Sequence, residues 1–287
     1  MSETNFSLID LKALSKPAEK LIESVSIAIG ALYEPTKIRR KAKADADAAV
    51  ILAKNQEETQ EIEVRASERL RNREVRRQKN IEGITRNALD ELPASVSDTP
   101  VDEDWIYQFF ENCQDISNEQ MQSLWSKLLA GEVTAPGKFS LRTLNLVKNL
   151  REEDAHIFTK FCTFVWKSSA GPIPFILDIE NELVKNTGLN FSTFLHLDSL
   201  GLINFDNITG FELKDTSTIL LRYFDKRYVV ALPEGQTQLK IGTSLLTIVG
   251  KELFPISGAK KSENHLSEMI NKWHQQGLQV VENNPPS

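Results

Sequence analysis

Between residues 36 and 92 the chain gives a helix no reason to stop. The stretch TKIRRKAKADADAAVILAKNQEETQEIEVRASERLRNREVRRQKNIEGITRNALDEL contains no Pro and one Gly, Gly83. It consists almost wholly of Ala, Glu, Lys, Arg, Gln, Ile, Leu and Asn, most of them strong helix formers, and its first breaker is Pro93. Unbroken, it would reach roughly 85 Å, far beyond any single globular core. Such a helix is expected to pack against other copies of itself, another protein or a nucleic acid. That points to an assembly or interaction protein.

Charge along the chain comes in blocks of alternating sign. Lys37, Arg39, Arg40, Lys41 and Lys43 form one basic cluster. Arg65, Arg69, Arg71, Arg73, Arg76, Arg77 and Lys79 form a second, diluted by Glu68 and Glu74. Glu57, Glu58, Glu61 and Glu63 lie between them, and residues 95–115 hold six acids and no Lys or Arg. Blocks like these favour staggered pairing between helices, or between a helix and an acidic domain. Ala42, Ala53, Val64 and Val75 are eleven apart, a period that gives a straight or slightly right-handed helical assembly.

The remaining organisation follows from periodicity. Residues 1–35 carry an amphipathic helix starting near Ser15, Lys16 and Pro17, with Leu21, Ile22, Val25, Ile29 and Leu32 on one face. Residues 93–104, PASVSDTPVDED, read as a linker. Residues 105–170 read as a compact helical domain. Trp105, Ile106, Phe109, Phe110 and Cys113 are its first core positions. Met121, Leu124, Trp125, Leu128 and Leu129 follow on a helix capped by Ser117 and stopped by Gly131. Ser140 starts a third helix, and Ala155, Phe158, Phe161, Cys162, Val165 and Trp166 form the inner face of a fourth.

Residues 171–258 change texture. Two short helices, the strand GLINFD and the hairpin TILLRYF-DK-RYVVAL, turning at Asp225-Lys226, have the order of a winged-helix domain. Residues 259–287 give a closing helix and a loose tail. The expected fold is therefore mainly α: a long N-terminal helix, a helical middle domain and a C-terminal winged-helix-like α+β domain.

Two stretches resemble a known family. LSKPAEKLIESVSIAIGALYEPTKIRRKAKADADA and MQSLWSKLLAGEVTAPGKFSLRTLNLVKNLREEDAHIF are similar to the bacterial family filed as domain of unknown function 2806. The second stretch, with Leu124, Trp125, Leu128, Leu129 and Ala130, also resembles the abortive-infection alpha family of phage-exclusion proteins. The resemblance implies a bacterial protein with a role in phage defence. It transfers no chemistry.

The residues themselves give no catalytic signature. His156, His196, His265 and His274 lie far from one another and from Cys113 and Cys162, without metal-ligand spacing. The two Cys read as reduced core residues. APGKFSLRT lacks the second Gly of a phosphate loop, which leaves Lys138 and Arg142 as an anion-binding alternative at a helix start. No cofactor is implied. The helix FSTFLHLDSL has no Lys or Arg, and its Phe191, Phe194, Leu195, Leu197 and Leu200 suit protein contact better than DNA reading.

The leading reading is a non-enzymatic, cytoplasmic homo-oligomer with a protein partner. The first alternative is a nucleic-acid binder using the basic span 65–79. The second is a peripheral membrane protein using residues 17–43, with Val25–Tyr33 dipping into lipid beside the Lys37, Arg39, Arg40, Lys41 and Lys43 cluster.

Overall fold

Asn118, Thr247 and Ser262 each precede a run with helical apolar spacing, and each caps a helix in the computed structural model, which describes residues 15–29 and 59–283. Their side-chain oxygens accept from the backbone N–H of Met121, Gly250 and His265, filling donors that a helix start leaves unpaired. The chain divides into two compact units, residues 1–148 and 149–287.

The first unit is helical in its described part: α1 (Lys16–Ile29), α2 (Thr59–Asp90), α3 (Glu103–Cys113), α4 (Glu119–Thr134) and α5 (Leu141–Asn149), whose last residue falls at the boundary. The apolar face of α1 buries Leu21, Ile22 and Val25, and the helix packs on α3 and α4. Along α2, the C-terminal half packs on α4 and buries Ile81, Ile84 and Ala88. Trp125 on α4 is fully buried, 5.2 Å from Phe109 in an edge-on contact. Trp105 Nε1 donates to the Phe139 carbonyl at 2.7 Å.

Three expectations for this unit change. The cap of α4 is Asn118, because the Ser117 hydroxyl lies 3.3 Å from the Asn80 amide that donates to it. Gly131 does not end α4, which runs to Thr134. It is small because the Phe139 ring packs on it: a Cβ there would sit 2.6 Å from that ring. Residues 93–104, the expected linker, are mostly exposed but held to the unit at a few points. Ser97 N donates to the Thr134 carbonyl, Lys16 pairs with Asp98 at 2.6 Å, and Val101 is buried. Residues 36–58, with the first part of the long helix, lie outside the described residues.

The second unit is mixed. α6 (Glu152–Cys162) leads into β1 (Val165–Ser168) and β2 (Gly171–Pro174). The short α7 (Glu182–Lys185) and α8 (Phe191–Ser199) follow. Then come β3 (Ile203–Phe205), β4 (Phe211–Leu213), β5 (Thr218–Tyr223), β6 (Lys226–Ala231), β7 (Leu239–Gly242) and β8 (Ser244–Leu246). The unit closes with α9 (Ile248–Leu253), α10 (Glu263–Gln275) and β9 (Gln279–Glu282).

β2-β1-β5-β6-β9 form one antiparallel sheet, and β3-β8 and β4-β7 are two-stranded. Alternation along β5 and β6 sends Leu221, Tyr223, Tyr228 and Val230 into a core shared with Trp166, Phe175 and Trp273. Where β7 meets the 176–177 backbone, Gly242 has φ +127°, and a Cβ would collide with the Ile176 carbonyl.

Here too the structure corrects the sequence reading. α6 ends at Cys162, and Val165 and Trp166 lie on a strand, not on the helix face expected for them. The run Thr163–Trp166 is β-branched and aromatic, which suits a pleated surface better. The residues between the hairpin strands are Phe224 and Asp225, since Tyr223 pairs with Lys226. That hairpin is not a free wing: it lies inside the five-stranded sheet. The expected loose tail holds a strand, β9, paired to β6 from Gln279 to Glu282. α6, assigned by sequence to the middle domain, belongs to the second unit.

Candidate functional site

One face of α2 changes character along its length. At about 100° per residue, Ile62, Ala66, Leu70, Ile81, Ile84 and Ala88 share one sector of the helix. Ile81, Ile84 and Ala88 are covered, whereas Ile62 is 65% and Leu70 52% exposed. The packing face of α2 thus continues beyond the core that uses it.

Arg73 falls in the same sector and interrupts the stripe between Leu70 and Ile81, and beside it stand Arg65, Arg69, Asn72 and Arg76 on the same helix. With Glu68 they line a shallow open depression of about 700 Å³. Every lining residue comes from α2, so this is a helix face and not a cleft.

The basic span divides in the structure. Arg77 makes a two-pronged contact with Asp115, Nη2 to Oδ2 at 2.7 Å and Nε to Oδ1 at 3.0 Å, and Arg76 reaches Oδ1 at 3.1 Å. The Arg77 guanidinium, with Arg76 behind it, holds the Asp115 carboxyl below the usual carboxylate range. Asn80 continues the seam, donating to the Gln114 carbonyl at 2.9 Å, and Gln122 donates to Asn80 at 3.2 Å. These contacts tie α2 to the loop between α3 and α4. Arg73 pairs with Glu74 at 2.9 Å, and Arg65 Nε donates to the Glu61 carbonyl at 3.0 Å. Arg71 is half-buried, and Arg69 and Lys79 are exposed. Sequence reasoning missed Asp115 as a partner, because it lies 38 residues from Arg77 and only the α2–α4 packing brings them together.

The other candidates resolve differently. Lys37, Arg39, Arg40, Lys41 and Lys43 lie outside the described residues, as do residues 30–33 of the proposed lipid anchor. Val25, its first residue, is buried in the first unit, while Ile27 is exposed. At the Pro136–Gly137 turn the anion is internal. The buried Glu132 carboxylate accepts from the N–H of Gly137 at 2.5 Å and of Phe139 at 2.9 Å.

On α8, Phe194 and Leu197 are buried, and Phe191 and Leu195 are each 46% exposed. Asp198 accepts from Phe205 N at 3.0 Å, and His196 Nε2 lies 2.6 Å from the Asp154 carboxylate at the start of α6. Both cysteines are free and buried, and burial pushes their thiols up. Among the described residues no group of three His, Cys, Asp or Glu is placed to hold a metal ion, and no helix is long and apolar enough to cross a membrane.

Fold and surface together define a two-unit chain, one unit helical and one α+β, with a half-covered basic helix. The chain belongs to the family described as Protein of unknown function (DUF2806), whose profile matches residues 64–270. That match begins on the exposed half of α2 and ends in α10. No curated protein and no solved structure matches the chain.

Proposed function

We propose that this protein is a non-catalytic assembly and interaction protein, and that the uncovered stripe of α2 takes the same stripe of a second copy. The observation that carries this is one helix sector, closed over Ile84 and Ala88, crossed by Arg73 and Arg77, and open over Ile62 and Leu70. An antiparallel pair crossing at Ala66 sets Ile62 of each copy against Leu70 of the other. The small side chain at the crossing lets the helices close, and Glu63 falls beside Arg69 of the other copy. The alternating charge blocks then oppose unlike signs. Two such apolar pairs are worth a few kcal/mol at most, so the contact needs the sequence before Thr59, where Ile51 stands eleven residues before Ile62.

On this reading the second unit, with its winged-helix-like order of helices and hairpin, binds a protein partner through the exposed Phe191 and Leu195 of α8. The setting is the bacterial cytoplasm and, by the resemblance of the Leu124–Ala130 segment, defence against phage.

Light scattering on the full chain at micromolar concentration is expected to give a mass above the monomer. The double change Ile62→Asp, Leu70→Asp is expected to lower it while each copy stays folded, since both side chains are exposed. A monomeric parent, or a double variant of unchanged mass, overturns the proposal.

A second reading rests on the arginines one turn apart on α2, which match a backbone of phosphates. It predicts nucleic-acid binding that weakens steeply with salt. Arg65→Gln, Arg69→Gln and Lys79→Gln together are expected to abolish it, because none of the three holds α2 to the α3–α4 loop. Binding unchanged in that triple variant excludes this face as the contact.

A further inference from the structure

Trp166, Leu221, Tyr223, Tyr228 and Val230 turn one face of β1, β5 and β6 to the core of the second unit. Alternation puts Lys167, Leu220, Arg222, Arg227 and Val229 on the other face. These side chains form rows across the strands. Lys167 stands opposite Arg222, and Arg222 opposite Arg227. Two residues along β5, Leu220 stands opposite Val229. The three strands contain no Asp or Glu.

Like charges directly opposite one another weaken a sheet, so the sheet gains nothing from the cationic row in itself. Lys167 and Arg222 are both exposed. The Lys167 ammonium lies 5.5 Å from the centre of the Phe254 ring, which steadies it. Arg222 Nε donates to the Phe224 carbonyl at 2.7 Å, which fixes the guanidinium while its Nη groups make no hydrogen bond among the described residues.

We propose that this face docks an acidic amphipathic helix of a partner protein, laid across β1, β5 and β6. Adjacent strands lie about 4.8 Å apart, and the cationic row steps by that distance. Helix side chains three or four residues apart are about 5–6 Å apart at Cβ, whereas alternate side chains of an extended strand are about 6.8 Å apart. A helix therefore matches the step more closely than a strand does. Leu220, 61% exposed, lies about 6.8 Å along β5 from the cationic row, within the ~10 Å width of a helix.

A helix so seated sets its carboxylates over Lys167 and Arg222 and an apolar side chain over Leu220. Arg227 extends the row by register alone, and the docking rests on the other three. The aromatic residues of these strands all face the core, so bases find no ring to stack on, which argues against a single-stranded nucleic acid. The docking shares no residue with the α2 and α8 surfaces described above and stands apart from both.

Fluorescence anisotropy on the full chain tests this with two labelled peptides of about five helical turns. One carries Glu on one face with Leu beside it, and the other has Lys in place of Glu. The acidic peptide is expected to bind the parent more tightly than the basic one, and less tightly as salt rises. Lys167→Gln with Arg222→Gln is expected to weaken it about tenfold, through the loss of two exposed ion pairs. Lys167→Glu keeps the Arg222 contact to the Phe224 carbonyl, so it is expected to weaken binding even where the first change loosens the hairpin. Leu220→Asn is expected to weaken the acidic peptide without changing its salt dependence.

Acidic-peptide binding that neither charge variant changes comes from elsewhere, the α2 arginines included, and overturns the docking. So does a basic peptide bound as tightly as the acidic one. A single-stranded DNA oligonucleotide that binds the parent more tightly than the acidic peptide and loses that binding in Lys167→Glu assigns the face to phosphates and overturns the helix.

Discussion

Trp125→Ala is expected to cost the first unit about 3–5 kcal/mol, the range for removing a large aromatic side chain from a packed core. The indole is fully buried, meets the Phe109 ring edge-on, and shares its helix face with Met121, Leu128 and Leu129, all buried. Few neighbours can collapse into the space, because α1, α2 and α3 all pack around α4. A loss of that size lowers the midpoint by on the order of 10 °C or more for a unit of this length.

Hydrogen exchange places the effect, with the C-terminal half of α2 and all of α4 exchanging faster while the sheet of the second unit does not. Trp125→Phe separates packing from polarity. The Trp125 Nε1 donor is buried with no partner among the described residues, so the phenyl ring loses volume but removes an unsatisfied group. It is expected to cost well under half as much. If Trp125→Ala melts like the parent, the α4 face is not the core of this unit.

Local signals were legible in the sequence wherever neighbours in the chain set the outcome. The spacing of Trp105, Ile106, Phe109 and Phe110, and that of Met121, Trp125, Leu128 and Leu129, identified the buried faces of α3 and α4. Alternation in TILLRY and RYVVA identified the hairpin to within one residue. What failed depended on partners far away in the chain. Phe161, Cys162, Val165 and Trp166 have helical spacing, yet Trp166 is on a strand because the sheet supplies Tyr223 and Tyr228 to stack and pack with it. β9 is too short to announce itself and exists through its ladder to β6.

The candidate site shows the same divide. The run of arginines is plain in sequence, but a run cannot say which members are already used. Asp115 takes Arg76 and Arg77, and no local pattern marks it. The open half of the α2 stripe was equally hidden, since Ile62 and Ile84 read alike until burial distinguishes them.

The second unit is expected to lose stability as pH falls from about 6.5, before its carboxylates titrate. His265 sits among Phe164, Trp166 and Tyr223 and is 4% exposed. Its Nε2 accepts from Trp166 Nε1 at 3.1 Å, which requires that nitrogen to be unprotonated. Burial, with Lys272 adding a little, pulls its pKa down to about 3. In the unfolded chain the same imidazole titrates near 6.5.

Above that pH both states are neutral and the contribution is fully present. Between 6.5 and about 3 the unfolded state binds one proton more than the folded state, so stability falls by about 1.4 kcal/mol per pH unit. Going from pH 7.5 to pH 5 should therefore remove roughly 2 kcal/mol through this one residue. Asp206, held down to about 2 by the Thr209 hydroxyl and neighbouring N–H groups, acts in the same direction only at lower pH.

His265→Gln supplies the control. Its amide oxygen accepts from Trp166 but does not titrate. The variant is expected to start less stable at pH 7.5, since it packs worse, and to lose much less by pH 5. The readout is hydrogen exchange in α10 and β1 of the full chain at the two pH values. Equal losses in parent and variant would mean that His265 is not the group whose burial makes this unit acid-sensitive.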